Sequence, residues 1–269
     1  MHGYATWIGT ASLLLAIAAG CGDAQKDAGG SSTGGNTTGT SVGGSASGGG
    51  GQNMPLALTD ALQLSPDNAA PGEAKDEDSH IIRSQSGRYF VTWMSNRADG
   101  NDDVYVMHSD DAVAWSAPIR ATEASDPDWD PTLLEDETGR FHLAWMRQQI
   151  TPPYARHIVY TSSANGTDWD VASEVALTDG MTDDFLPFLV AHDGNLFIYF
   201  GSRERSANQT EDLFFMLSSD GGGSWSEPAL LGDLSTSDQM DTFPYVMAAP
   251  EGGLLMTFVR YDGNLPTPE

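Results

Sequence analysis

The chain has 269 residues, room for one large domain or two small ones, and a formal net charge of −26 from 38 acidic and 12 basic residues. So acidic a surface repels phosphate backbones, which argues against nucleic acid as a partner and suits a protein kept soluble in an exterior compartment. Cys21 is the single cysteine, so no internal disulfide can form.

The apolar run from Trp7 to Ala19 is too short to span a membrane and ends in Leu15-Ala16-Ile17-Ala18-Ala19-Gly20-Cys21. Small residues leading to a cysteine resemble the lipobox of bacterial lipoproteins. That resemblance implies a signal peptide over 1–20 and lipidation of Cys21 as the new N-terminus. Two features depart from it: Ala18 stands where leucine is commonest, and Met1–Thr6 carries no Lys or Arg. An ordinary signal peptide cut after a small residue is the alternative. Gly22 follows the cysteine, so the retention signal of enteric inner membranes is absent. The expected location is the bacterial cell envelope, at the outer membrane or cell surface, with the lipid as the only membrane contact. From Gly29 to Gly51 the chain is almost wholly Gly, Ser and Thr, too poor in apolar area to offset its ordering entropy. Residues 21–53 therefore read as a flexible tether, and 54–269 as the folded domain.

From about Asp78 onward the sequence repeats at a period of roughly fifty residues, in the range of propeller blades. Asp78–Ile82, Asp130–Leu134, Asp184–Leu189 and Asp241–Tyr245 each lead through a glycine turn into a strongly apolar strand, Tyr89–Trp93, Phe141–Trp145, Leu196–Phe200 and Leu254–Phe258. Third strands follow at Val104–Met107, Ile158–Thr161 and Leu213–Met216, and fourth strands at Ala117–Thr122, Glu174–Thr178 and Pro228–Leu231. No helical periodicity competes with this pattern. Ala57-Leu58-Thr59-Asp60 repeats Ala176-Leu177-Thr178-Asp179, so residues 55–62 are expected to act as the outer strand that closes a ring.

Between the third and fourth strands of the third unit lies Ser218-Ser219-Asp220-Gly221-Gly222-Gly223-Ser224-Trp225. Its glycines permit positive φ at a hairpin tip, its aspartate can accept turn amides, and its tryptophan can fold back over the hairpin. Ser218, Asp220, Gly222 and Trp225 resemble the Asp-box of sialidase-type (bacterial neuraminidase repeat) β-propellers. His108–Trp115 keeps Asp and Trp without the glycine, and Ser162–Trp169 keeps Ser, Gly and Trp with Ala164 where the Asp belongs. The resemblance implies an all-β, sialidase-like propeller of four-stranded blades. About three and a half blades are expected, incomplete relative to the six-bladed ring of that family, or else closed as a small ring.

Two charged positions recur where the family binds ligands, near the mouth of the central channel. Asp78, Asp130, Asp184 and Asp241 begin the first strands, and Arg97, Arg147, Arg203 and Arg260 follow the second strands. They admit two readings. Converging arginines would grip a carboxylate while acids supply general acid catalysis, as the sialidase resemblance implies with its arginine triad, acid/base Asp and Tyr–Glu nucleophile. Alternatively each acid pairs with an arginine of its own blade. The family's Arg-Ile-Pro is replaced here by His80-Ile81-Ile82, with Arg83 two positions late, and neither Tyr245 nor Tyr261 is assignable as nucleophile. Asp130 and Asp103 are the catalytic candidates, and Trp129 is the candidate for stacking on a sugar ring. His80, His108, His142, His157 and His192 lack metal-ligand spacing. No cofactor is expected, although the Asp-rich run Ser125–Asp130 has the oxygen ligands for Ca²⁺. The expected function is binding of a glycan or protein ligand by a monomeric propeller. The alternative is an exo-sialidase-type hydrolase acting on anionic sugars.

Overall fold

The computed structural model describes residues 12–18, 75–170, 173–205, 210–232, 239–249 and 252–262. The chain divides into two compact units, one of residues 1–20 with 64–269 and one of residues 21–63. The second unit, and with it Cys21, the Gly/Ser/Thr tether and the expected closing strand at 55–62, lies outside the described residues.

The first unit is all β. Three four-stranded antiparallel sheets follow one another, each built in the simple order of the chain. The first contains β2 (Asp76–Arg83), β3 (Tyr89–Ser95), β4 (Asp103–Ser109) and β5 (Ile119–Arg120). The second contains β6 (Asp128–Glu135), β7 (Phe141–Gln148), β8 (Arg156–Ser163) and β9 (Val175–Ala176), and the third β10 (Asp184–His192), β11 (Asn195–Ser202), β12 (Asp212–Ser218) and β13 (Ala229–Leu230). A fourth sheet pairs β14 (Gln239–Ala248) with β15 (Leu254–Asp262), and β15 pairs on its other side with β1 (Ser12–Ala18). The protein is thus a sialidase-like β-propeller of four-stranded blades, with the fourth blade represented by its two inner strands.

The second and third strands are apolar because both of their faces are covered. On β3 and β7 six consecutive residues are buried, where a one-sided strand would alternate. Each gap between blades holds one core. Phe90, Val104 and Val106 of blade one meet Leu133, Leu143 and Trp145 of blade two. Ala144, Ile158 and Tyr160 then meet Leu189, Phe200 and Phe214, and Tyr199 and Leu213 meet Val246, Met256 and Phe258. The fourth strands are shorter than expected, two residues each, with Val175 and Leu230 exposed. A brief outer strand leaves little open edge for a stray chain to pair with.

The three tryptophan-ended turns share one hydrogen-bond pattern. Asp220 Oδ1 accepts the Ser218 hydroxyl and the Ser224 amide at 2.8 Å each. Asp111 Oδ1 accepts the Ser109 hydroxyl at 3.1 Å and the Val113 and Ala114 amides at 2.8 Å. In the second turn Asn165, not Ala164, occupies the place of the acid, taking the Ser163 hydroxyl at 3.1 Å and the Thr167 and Asp168 amides at 3.0 and 2.9 Å. An asparagine carbonyl oxygen accepts turn amides as a carboxylate does.

Candidate functional site

The inner strand of every blade carries the same irregularity. The pairing register breaks between Glu77 and His80, Trp129 and Thr132, Phe185 and Phe188, and Thr242 and Tyr245. At each break one residue is left-handed: Asp78 (φ 54°), Asp130 (51°), Leu186 (54°) and Phe243 (55°). Pro131, Pro187 and Pro244 follow three of them, and a proline bars the right-handed helical region to the residue before it. Such a conformation costs about 1–3 kcal/mol per residue and persists where the surroundings over-determine it. The four strained residues stand in one register around one space. They and their neighbours line an axial cavity of about 220 Å³.

The cavity is acidic and aromatic. Asp78 and Asp130 enter it from adjacent blades, and among the described residues no lysine or arginine lines it. Among the described residues neither carboxylate has a hydrogen-bond or ion-pair partner. Burial, and then the charge of Asp78, push the Asp130 carboxyl up to about 7, against a weaker pull from Arg156. Asp78 is also raised, by burial and by the charges of Glu77 and Asp102. His80 accepts the Leu133 amide on Nδ1 at 3.0 Å, a bond that ties blade one to blade two. Accepting there requires the neutral tautomer with its proton on Nε2, and burial lowers the pKa of the ring. The His80 ring packs edge-on against Phe188, at 5.6 Å between centroids, and Phe188 packs on Tyr245 at 4.9 Å. Phe243 and Tyr245 remain 46% and 61% exposed, open to a ligand.

The recurring acids fall into two columns. Asp78 and Asp130 sit at the breaks, whereas Asp184 and Asp241 lie two residues earlier, at the level of Asp76 and Asp128. This earlier column is turned away from the cavity and meets the arginines. Arg147 holds Asp128 at 2.7 and 2.9 Å and reaches Glu174 at 2.9 Å. Arg260 grips Asp241 at 2.7 Å through two nitrogens, and Arg97 reaches Asp76 at 2.6 Å. In blade three Arg205, not Arg203, holds Asp184, at 2.9 Å, while Arg203 pairs with Glu211. Each arginine is thus spent inside its own blade, and none of the four lines the axial cavity. Arg156 is paired with Asp183 and lies over the Phe185 ring at 4.4 Å.

The remaining candidates are dispersed. Asp103 is buried on β4 against Arg120 at 2.5 Å, and burial raises its carboxyl to about 6. Trp129 is half-buried, donates its indole N–H to Asp102 at 2.8 Å, and does not line the cavity. In the run expected to offer Ca²⁺ ligands, Asp126 accepts the Ile150 amide, Asp128 binds Arg147 and Asp130 faces the cavity, so the carboxylates diverge. Among the described residues no three His, Cys, Asp or Glu converge as a metal site. His142 is fully buried, donating Nε2–H to Asp136 at 3.1 Å and accepting the Tyr160 hydroxyl on Nδ1 at 2.6 Å. His80 is the cavity residue that sequence reasoning passed over. Its signal was its place, two residues past a left-handed aspartate.

No protein-family model matches the chain, and no curated protein matches it. Solved structures do resemble its fold. An α-L-arabinanase from Penicillium chrysogenum, solved with arabinobiose, aligns with a TM-score of 0.59 at 18% identity, over 72% of this chain and 60% of its own. The Hadza microbial sialidase Hz136 aligns at 0.53 and 16% identity, over 68% of this chain and 41% of its own. A thermostable family-43 glycoside hydrolase aligns at 0.50 and 13% identity, over 72% and 75%. The chain therefore spans less than two thirds of the length of the arabinanase and the sialidase.

Proposed function

We propose that the protein is a surface-tethered propeller that binds carbohydrate in the axial cavity without cleaving it. The observation that carries this reading is the cavity itself. Unpartnered carboxylates accept hydroxyl hydrogen bonds, His80 Nε2–H donates, and exposed Phe243 and Tyr245 offer faces to a sugar ring. The glycoside-hydrolase neighbours are consistent with a sugar ligand, although a shared fold alone does not assign one. Binding is favoured over cleavage because a nucleophile or base must be held ionised. Here both acids are pushed the same way, towards the neutral form, and among the described residues no lysine or arginine lines the cavity. An anionic sugar is disfavoured, since the arginines that would grip its carboxylate are engaged within the blades.

One observation favours hydrolysis as a second reading: Asp130, near 7, is tuned as a general acid beside a second carboxyl. The deciding experiment is titration calorimetry of the full chain against neutral, amino and sialylated oligosaccharides, run beside a panel of fluorogenic glycosides. Binding without turnover, weakened about tenfold by Tyr245→Ala, is the expected result, a loss of about 1.4 kcal/mol. Turnover abolished by Asp130→Asn would establish the hydrolase instead.

The tether completes the reading. Cleavage before Cys21 and acylation of its thiol would hold the propeller off the membrane surface, and would also remove β1 and free the edge of β15. Radiolabelled fatty acid is expected to enter the wild-type chain and not Cys21→Ser; equal labelling of both would refute the anchor.

A further inference from the structure

Resting on the carbohydrate reading, the geometry points to an amino sugar as the ligand class, its protonated amine seated between Asp78 and Asp130 in the axial cavity. Three observations converge on this. The two acids occupy the same left-handed position of adjacent inner strands, so the fold itself brings both into the lining of one space. Among the described residues that space is lined by no lysine or arginine, and His80 is held neutral because its Nδ1 accepts the Leu133 amide. Arg156, the cation whose field reaches Asp130, is committed to Asp183. Two carboxylates sharing a partly dry site repel each other, and a single ammonium placed between them relieves both costs at once. A hydroxyl satisfies their hydrogen bonding but leaves the repulsion, and a carboxylate-bearing sugar adds to it.

The rest of the lining fits the body of such a ligand. A cavity of about 220 Å³ is small for a ligand pocket and suits one ring rather than a chain. Phe243 and Tyr245 present exposed faces at its rim for the apolar side of that ring. The Ser79 hydroxyl and the His80 N–H line the same space and could meet the remaining ring hydroxyls, whereas Thr132 is buried with its hydroxyl oxygen taken by the Leu189 amide at 3.2 Å. The overall charge of −26 draws a cationic ligand from a distance, which raises its encounter rate and makes that rate sensitive to salt.

The test is calorimetric binding of D-glucosamine against N-acetyl-D-glucosamine, with the full chain at pH 5, 6 and 7. D-glucosamine is expected to bind at least about tenfold more tightly at pH 7, and its advantage should shrink towards pH 5 as Asp130 takes up a proton. Asp130→Asn and Asp78→Asn, residues that tolerate the left-handed backbone, should each erase the preference; retained thermal unfolding shows that the variants are folded. Equal affinity for the two sugars would overturn the amine while leaving the carbohydrate reading standing. Failure to bind any sugar of the wider panel would remove both. Tight binding of Ca²⁺ that displaces the amino sugar would reassign the carboxylates to a metal.

Discussion

Arg147 shows how one side chain can invite two readings. Its carboxylate partner Asp128 is fully buried, and Glu174 closes the other side of the guanidinium. Taking such a charge out of water is tolerable only while its partner stays, so removing one member of a buried pair costs about 3–5 kcal/mol. Arg147→Ala is expected to lower the thermal midpoint sharply and to bind no ligand only because it is unfolded. A well-folded Arg147→Ala chain with selective loss of ligand would place this arginine in a binding role instead. The recurrence of Arg after the second strand was legible in the sequence; its direction was not. Blade three shows why: the acid there is held by Arg205, two residues beyond the position the repeat suggests, because a flexible guanidinium reaches its partner from more than one place on the chain. Asn165 teaches the same lesson in the second turn, where the oxygen that organises the loop belongs to an amide one residue past Ala164.

At the scale of the element, the blades were readable because their physics is local. A glycine turn, a doubly buried apolar strand and a tryptophan-ended hairpin each leave a mark in sequence, and the hairpin of blade three could hardly tolerate another. A Cβ on Gly222 would lie 1.9 Å from the Tyr160 hydroxyl, and its φ of +89° suits glycine alone. That hydroxyl in turn donates to buried His142, so the turn of one blade presses on a polar network of the next. The inner strands were harder. A single left-handed residue breaks the two-residue alternation, so side chains before and after it cannot be assigned to faces by counting. Asp76-Glu77-Asp78 and Asp128-Trp129-Asp130 present an acid in both columns, while Asp184-Phe185-Leu186 and Asp241-Thr242-Phe243 present one only in the column that pairs with arginine. Aligning acid with acid therefore merged two positions that the fold separates. The arginine-paired column ties each blade together, and the column at the break is the one that reaches the cavity.

At the scale of the molecule, the propeller sets four strained positions around one axis and lets them differ. Blades one and two contribute carboxylates, and blades three and four contribute Leu186 and Phe243 at the same register. The acidic half and the apolar half of the cavity thus arise from one repeated backbone device carrying different side chains. The cost falls on Asp130, whose ionisation is opposed by burial and by Asp78. Because its folded pKa lies above its ordinary value of 3.8, the stability it contributes is complete below that value and is lost as pH rises towards 7. A carboxyl whose charge the fold opposes, left facing an open cavity, supports the proposed binding role of this space. Carboxyl-detected NMR of Asp130 across pH, with and without the saccharide that binds best, probes this directly. The expected result is a midpoint near 7 in the free protein that moves by a unit or more when the saccharide binds. A midpoint in the ordinary carboxylate range, or one unmoved by a ligand that calorimetry shows to be bound, would contradict the assignment of the axial cavity as the binding site.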